Sequence, residues 1–152
     1  MTPARTAVND AIARLAAEDP KDTLFIGVDS KWDYRFLFKQ YTTLDINPKT
    51  NPDIVADIQE CPEIKNDSYD AIIMTGVYEY LKFIDNAFDE IFRILKPGGK
   101  ALFCLPGSAY YKDRFTFDLL DIGELEKFTI EDIKVVYYKS KVPYYFIIRA
   151  RK

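Results

Sequence analysis

Carboxylate and tyrosine side chains follow two short apolar runs in this chain of 152 residues. Asp45 ends one run, and Glu79 and Tyr80 come shortly after the run at 70–74. An acid at the end of a parallel strand can accept hydrogen bonds from both hydroxyls of a ribose. A glutamate or a tyrosine beside a bound substrate can remove a proton from it. Two local alternatives stay open, because Asp45 could form a turn and Glu79 could cap the helix that follows it.

A ligand site at Asp45 would include the loop at the end of a predicted buried strand, Thr23–Val28. Nucleotide-binding α/β domains place glycine in this loop, because backbone amides there approach the ligand closely. Gly27 lies at this position, and Asp45 follows it at about the separation of twenty residues that such domains use for the ribose-binding acid. Asp29 and Lys31 come next, and they could either face a ligand or belong to a polar turn that caps a helix.

The elements that would position these side chains are clearest between residues 68 and 106. The apolar run 70–74 predicts a strand, and apolar residues at helical spacing from Phe83 to Leu95 predict an amphipathic helix. We expect the helix to stop at Lys96–Gly99, because Pro97 cannot continue it, and a second strand to cover Lys100–Pro106. Such a strand–helix–strand unit is a right-handed parallel crossover.

The remaining segments predict a sheet with helices around it. Helices are expected over Ala7–Glu18, over a short crossover segment at 32–38, and after an N-cap at Thr116. A short strand is expected over 51–58, ending at Asp57-Ile58, and two strands over 128–138 and 142–150 predict an antiparallel hairpin at the sheet edge. The pattern is that of an α/β protein with a mostly parallel sheet.

The composition argues against several classes of protein. The net charge of −3 does not indicate a nucleic-acid-binding surface. The chain has no histidine, and its two cysteines, Cys61 and Cys104, are far apart, so we expect no metal site. No signal peptide and no run of roughly 20 apolar residues is present, so we expect a cytoplasmic protein without a membrane span. The length predicts one domain, residues 1–152.

Two segments in succession, Tyr69–Tyr80 and Glu90–Lys100, resemble the class I S-adenosylmethionine-dependent methyltransferases. The run Arg-x-Leu-Lys-Pro-Gly-Gly at 93–99 is among the more specific signatures of that family. The resemblance covers roughly residues 24–149. It implies a Rossmann-like fold with a seven-stranded, mostly parallel sheet, helices on both faces and a C-terminal antiparallel hairpin. It also implies an N-terminal helix at 1–20, a cofactor-binding core at 21–106 and a closing helix and hairpin at 107–152.

The resemblance also implies roles for individual residues, with S-adenosyl-L-methionine as the cofactor. Asp45 would bind the ribose, Asp57 would accept from the adenine amine, and Ile58 would pack on the ring. The loop after the fourth strand would shape the methionyl pocket with Thr75–Val77 and turn Tyr78, Glu79 and Tyr80 toward the substrate. The full set of implied cofactor residues is Ile26, Gly27, Asp29, Asp45, Ile46, Asp57, Ile58, Thr75, Gly76 and Val77, and the catalytic candidates are Glu79 and Tyr80.

The chain departs from the family at the glycine loop. The family pattern is an acid, an apolar residue and Gly-x-Gly-x-Gly, whereas Phe25 replaces the acid and Asp29 and Lys31 replace the second and third glycines. Tyr80 also stands where many relatives carry histidine. Asp57 could alternatively cap a turn.

Two hypotheses follow from these observations. The first is an enzyme that methylates a small-molecule or sugar-like acceptor. The second is a non-catalytic methyltransferase-like domain that acts as a binding or assembly module. In either case a homodimer or a partner protein could complete an open site. A nicotinamide-dependent dehydrogenase is a more distant alternative.

Overall fold

The seven strands that the structure describes form a single sheet. The structure is a computed structural model, in which residues 2–28 and 34–152 are described. The strands are β1 Thr23–Ile26, β2 Tyr41–Asp45, β3 Ile54–Val55, β4 Tyr69–Thr75, β5 Leu95–Pro106, β6 Thr129–Tyr137 and β7 Pro143–Arg151. Their order across the sheet is β3-β2-β1-β4-β5-β7-β6.

Parallel and antiparallel pairs divide this sheet into two parts. The pairs β2/β3, β1/β2, β1/β4 and β4/β5 are parallel, whereas β7 pairs antiparallel with both β5 and β6. The chain runs outward from β1 to β3 and then returns to β4 on the other side of β1. The strand order therefore reverses between β1 and β4, which is where open α/β sheets form a ligand-binding crevice.

Helices cover both faces of the sheet. Helix α1 (Pro3–Ala17) packs its buried side on the face that carries Phe25, while helix α2 (Ile84–Ile94) packs on the face that carries Leu24. The predicted fold class, including the closing hairpin, is therefore confirmed. None of the described helices is long and apolar enough to cross a membrane.

Helix α1 begins four residues before the predicted start at Ala7. The amide of Arg5 donates to Thr2 Oγ1 at 3.3 Å, so Thr2 is the N-cap, and Pro3 occupies the first helical position. Both residue types are favoured at these positions, because a hydroxyl satisfies an unpaired amide and proline has none to satisfy. The added turn brings Arg5 onto the helix.

The Lys96–Gly99 segment belongs to β5 and is not a separate turn. Helix α2 does end before it, but the strand starts at once: Tyr69 pairs with Leu95, and Ala71 pairs with Lys100. The extra residues bulge out, with Gly98 at a φ of +77°. The amide of Gly98 donates to the Lys152 carbonyl at 3.0 Å, which ties the bulge to the chain end beside β7.

Three smaller predictions are wrong in detail. In the expected crossover segment the described residues form only a 3-10 helix, Arg35–Leu37, and residues 32 and 33 lie outside the described part of the chain. Strand β3 is only two residues long. After β5 the chain forms a 3-10 helix, Leu119–Leu125, capped by Asp118 instead of Thr116. Asp118 Oδ1 accepts from the amide of Leu120 at 3.0 Å, and the amide of Asp118 donates to Asp121 Oδ2 at 2.9 Å.

Candidate functional site

A cavity of about 640 Å³ lies at the carboxyl ends of the parallel strands. This volume is in the range of cavities that hold small molecules and cofactors. Its walls come from the ends of β1, β2 and β4 and the loops after them, the segments after β3 and β5, the first turn of α1, and β7. Every site residue predicted from the sequence lines it, apart from Asp29, which lies outside the described residues: Ile26, Gly27, Asp45, Ile46, Asp57, Ile58, Thr75, Gly76, Val77, Glu79 and Tyr80.

Gly27 is where the loop after β1 crosses the loop after β4. Its φ is +86°, and a Cβ atom at this position would lie 2.2 Å from the carbonyl oxygen of Thr75 and 2.7 Å from Val77 Cγ2. Its amide donates to the Leu44 carbonyl at 2.9 Å. Only glycine fits this conformation and this spacing, so Gly27 fixes the floor of the cavity as well as leaving room for a ligand.

Asp45 is held in place by two backbone amides. Its Oδ2 accepts from Val28 N at 3.0 Å, and its Oδ1 accepts from Asn47 N at 2.9 Å. The second bond is the turn interaction that the local alternative predicts, and the first joins the end of β2 to the loop after β1. Each carboxylate oxygen has a further lone pair, so Asp45 can still accept from two ligand hydroxyls.

Asp57 is oriented by Gln59, a residue that the sequence reasoning missed. Asp57 Oδ1 accepts from the backbone amide of Gln59 at 2.9 Å, and both carboxylate oxygens accept from Gln59 Nε2 at 3.0 and 3.1 Å. Gln59 Oε1 in turn accepts from the amides of Lys82 and Phe83 at 2.7 and 2.6 Å. Gln59 thus connects Asp57 to the N-terminus of α2.

Glu79 lies in the short 3-10 helix Tyr78–Tyr80 and is only 8% exposed. Its Oε2 is buried and has no hydrogen-bond partner among the described residues, and its Oε1 has one long contact of 3.5 Å from the Tyr111 hydroxyl. Burial raises the pKa of this carboxyl, although Arg114 and Tyr111 act in the opposite direction. Gln59 accepts from the two amides before α2, so among the described residues Gln59, and not Glu79, pairs with the backbone at the start of that helix.

Tyrosine side chains surround Glu79. Tyr80, Tyr110, Tyr111 and Tyr145 all line the cavity, and Tyr145 is buried. Burial raises the pKa of Tyr111 to about 12, so its phenol stays protonated at neutral pH. The Tyr80 oxygen accepts from Arg114 Nη1 at 2.5 Å. Glu79 thus keeps a buried oxygen without a donor among the described residues, whereas the Tyr80 oxygen is paired with Arg114.

Arg5 is the second residue that the sequence reasoning missed. It lines the cavity from α1, close to where Gly27, Val28 and Thr75 contribute to the wall. The Thr2-Pro3 start signal would have placed it on the helix. Within the described part of the chain, no group of three or more histidine, cysteine, aspartate or glutamate side chains is arranged to hold a metal ion.

Comparison with known proteins links this geometry to one family. The profile of a family described as a methyltransferase domain matches residues 4–129. No curated protein is significantly similar to the chain in sequence.

Solved structures with low sequence identity share the fold. The N-methyltransferase NodS from Bradyrhizobium japonicum, in complex with S-adenosyl-L-homocysteine, is 18% identical over 99% of this chain and 88% of its own, with a TM-score of 0.81. The 1,6-didemethyltoxoflavin-N1-methyltransferase from Burkholderia thailandensis is 17% identical over 93% of this chain and 75% of its own, with a TM-score of 0.69. The [4+2]-cyclase SpnF is 16% identical over 94% and 81%, with a TM-score of 0.72, so the fold hosts more than one reaction.

Proposed function

Since the chain belongs to the S-adenosylmethionine-dependent methyltransferases of the class I Rossmann-like fold, we propose that it transfers a methyl group to a small-molecule or sugar-like acceptor in this cavity. The observation that carries the proposal is the placement of two oriented carboxylates at one end of the cavity and a buried carboxylate at the other. Asp45 and Asp57 lie beside the neighbouring strands β2 and β3, whereas Glu79 follows β4. Strands are spaced by about 4.8 Å, so β2 and β4 are roughly 10 Å apart.

The nucleoside would lie at the end that holds the two oriented carboxylates. Asp45 would accept from the ribose hydroxyls, and Asp57 would accept from the adenine amine. Ile58 is buried under this end of the cavity, whereas Ile46 is 65% exposed and is free to cover a ring. Charge-assisted hydrogen bonds of this kind contribute roughly 1.5 to 3 kcal/mol each.

The methionyl part would lie over the crossing of the loops at Gly27 and Thr75–Val77. Arg5 enters the cavity beside this crossing, and a guanidinium is the side chain best suited to bind a carboxylate through two parallel bonds. We therefore assign Arg5 to the methionyl carboxylate. A residue from α1 would then supply part of the binding that the family obtains from its glycine loop.

The acceptor would lie between Glu79 and the tyrosines. The cofactor supplies a methyl group activated by a positively charged sulfur. The residues of the chain hold the acceptor in line with that group, and alignment at about 3 to 3.5 Å supplies much of the acceleration. Glu79 Oε2 would remove a proton from the acceptor, and the pKa raised by burial makes this carboxylate a stronger base than an exposed one.

Isothermal titration with S-adenosylhomocysteine tests the proposal. We expect micromolar affinity, equivalent to about 8 kcal/mol, and at least a tenfold loss in Asp45→Ala. Asp45→Asn keeps an acceptor oxygen and should lose less, and Asp132→Ala, on exposed β6, should bind like the unmodified protein. No heat at millimolar ligand would favour the non-catalytic binding or assembly module. Equal affinity in Asp45→Ala would refute the ribose assignment.

A further inference from the structure

The acceptor end of the cavity combines a buried carboxylate with tyrosine side chains. Glu79 contributes the carboxylate, and Tyr110, Tyr111 and Tyr145 contribute rings from the segment after β5 and from β7. These rings pack on one another, with centroids 4.5 Å apart for Tyr110 and Tyr111 and 5.4 Å apart for Tyr110 and Tyr145. The face of an aromatic ring carries negative potential and attracts a cation that lies over it.

A cation already occupies part of this wall. The guanidinium carbon of Arg114 lies 5.0 Å from the centroid of the Tyr80 ring and 4.8 Å from that of the Tyr111 ring. Both distances are within the range of cation–π interactions. Tyr80 and Tyr111, which both line the cavity, thus each hold a positive charge over one ring face.

One oxygen of the Glu79 carboxylate can accept a hydrogen bond from a ligand. Glu79 Oε2 is buried, lies in a residue that lines the cavity and has no hydrogen-bond partner among the described residues. A buried oxygen without a donor loses the hydrogen bonds that water would give it. A ligand that brings N–H donors and a positive charge would satisfy this oxygen, whereas a neutral hydroxyl would bring one donor and no charge.

We propose that the acceptor is an amine that enters the cavity as an ammonium ion, held by Glu79 and by the ring faces of the neighbouring tyrosines. This inference rests on the proposed methyl transfer. The ammonium first gives one N–H proton to Glu79 Oε2, which leaves a lone pair on nitrogen. That lone pair forms the new bond to the methyl carbon, while the carbon–sulfur bond breaks and its electrons stay on sulfur. The products are a methylated ammonium and a neutral thioether, and the proton on Glu79 passes to solvent.

The groups that face Glu79 are consistent with this order of events. The Tyr111 hydroxyl donates to Glu79 from the segment after β5, Tyr145 lies on β7, and the charge of Arg114 lowers the pKa of the carboxyl. Arg114 is exposed to solvent, whereas Glu79 is buried. An ammonium ion bound at Glu79 would therefore lose more of its water than Arg114 does. Desolvation strengthens the attraction between opposite charges.

Paired probes that differ only in the charged group test the inference. The full chain is saturated with S-adenosylhomocysteine, and binding is measured by ligand-observed NMR for three pairs: 2-phenylethylamine and 2-phenylethanol, cyclohexylmethylamine and cyclohexylmethanol, and glucosamine and glucose. We expect the amine of at least one pair to bind at least tenfold more tightly than its alcohol at pH 7.

Variants separate the contribution of the carboxylate from that of the rings. Glu79→Gln should remove the preference for the amine. Tyr111→Leu should reduce it several-fold, and Tyr111→Phe, which keeps the ring and loses the hydroxyl, should retain most of it. All three variants should keep their affinity for S-adenosylhomocysteine within about threefold, which shows that they are folded.

The outcomes distinguish this inference from the proposed function. Binding of S-adenosylhomocysteine with no amine preference in any pair would overturn the inference alone, and so would a preference that survives in Glu79→Gln. No binding of S-adenosylhomocysteine by the unmodified protein at millimolar concentration would overturn the proposed function and the inference together.

Discussion

Substitution of Gly27 tests the geometry of the cavity floor, because the structure gives the cost of a single added methyl group. A Cβ atom at Gly27 would lie 2.2 Å from the Thr75 carbonyl oxygen, and the backbone has a φ of +86°. A left-handed conformation costs a non-glycine residue about 1 to 2 kcal/mol. Forcing the two loops apart adds about 1 to 3 kcal/mol, as overpacking does elsewhere.

Gly76 provides the matched control. It also has a positive φ, +68°, but nothing lies within 4 Å of an added Cβ. Gly76→Ala therefore has the conformational cost without the collision, and part of that cost is offset by about 0.4 to 1 kcal/mol from the unfolded chain. We expect Gly27→Ala to lose about 2 to 4 kcal/mol of unfolding free energy, and Gly76→Ala to lose about 1 kcal/mol or less.

Urea denaturation at neutral pH measures both losses, and thermal denaturation should agree. At this size a change of 1 kcal/mol shifts Tm by roughly 2 to 4 °C, so Gly27→Ala should melt at least 4 °C below the unmodified protein. Equal stabilities for the two variants would refute the close approach of the two loops. A stable Gly27→Ala that still binds S-adenosylhomocysteine normally would also contradict the role given to this crossing.

Further predictions concern Gln59 and Glu90. Gln59→Leu removes both the acceptor for the amides before α2 and the donor to Asp57. We expect this variant to lose about 1 kcal/mol of unfolding free energy and to bind S-adenosylhomocysteine more weakly. Gln59→Glu keeps the acceptor, so it should lose mainly binding affinity. Unchanged affinity in both variants would contradict the positioning role. Hydrogen bonds from Arg93 lower the pKa of Glu90 to about 2, so Glu90 stabilises the fold above its ordinary pKa of 4.5, and that contribution is lost as the pH falls towards 2. Urea denaturation measures the difference in unfolding free energy between the unmodified protein and Glu90→Gln. We expect this difference to be at most about 3 kcal/mol and to shrink between pH 5 and pH 2.5. A constant difference would refute this assignment.

Local sequence patterns predict the strands and the edge where the site forms. Asp45 and Glu79 follow apolar runs, and parallel strands bring their carboxyl ends to one edge of the sheet, so the position of the cavity follows from the order of elements. The Thr2-Pro3 pair was also a readable signal for the start of α1, and it would have placed Arg5 on that helix.

Other features depend on contacts that no local pattern reports. Gln59 bonds to amides 23 and 24 residues away, and Tyr145 reaches the cavity from the last strand. The partners of these residues are decided by the packing of α2 and β7 on the sheet. At Lys96–Gly99 the residue types indicate a turn, but the backbone also pairs with the chain end, and this tertiary pairing makes the segment part of β5.

The most direct test of the central claim is a crystal structure of the protein grown with S-adenosylhomocysteine. We expect the ribose hydroxyls within 3.2 Å of the Asp45 carboxylate, the adenine amine beside Asp57, and the methionyl carboxylate at Arg5. The sulfur atom should face Glu79 and the tyrosines. A ligand bound in this cavity in the reverse direction, or at any other place on the protein, would contradict the account.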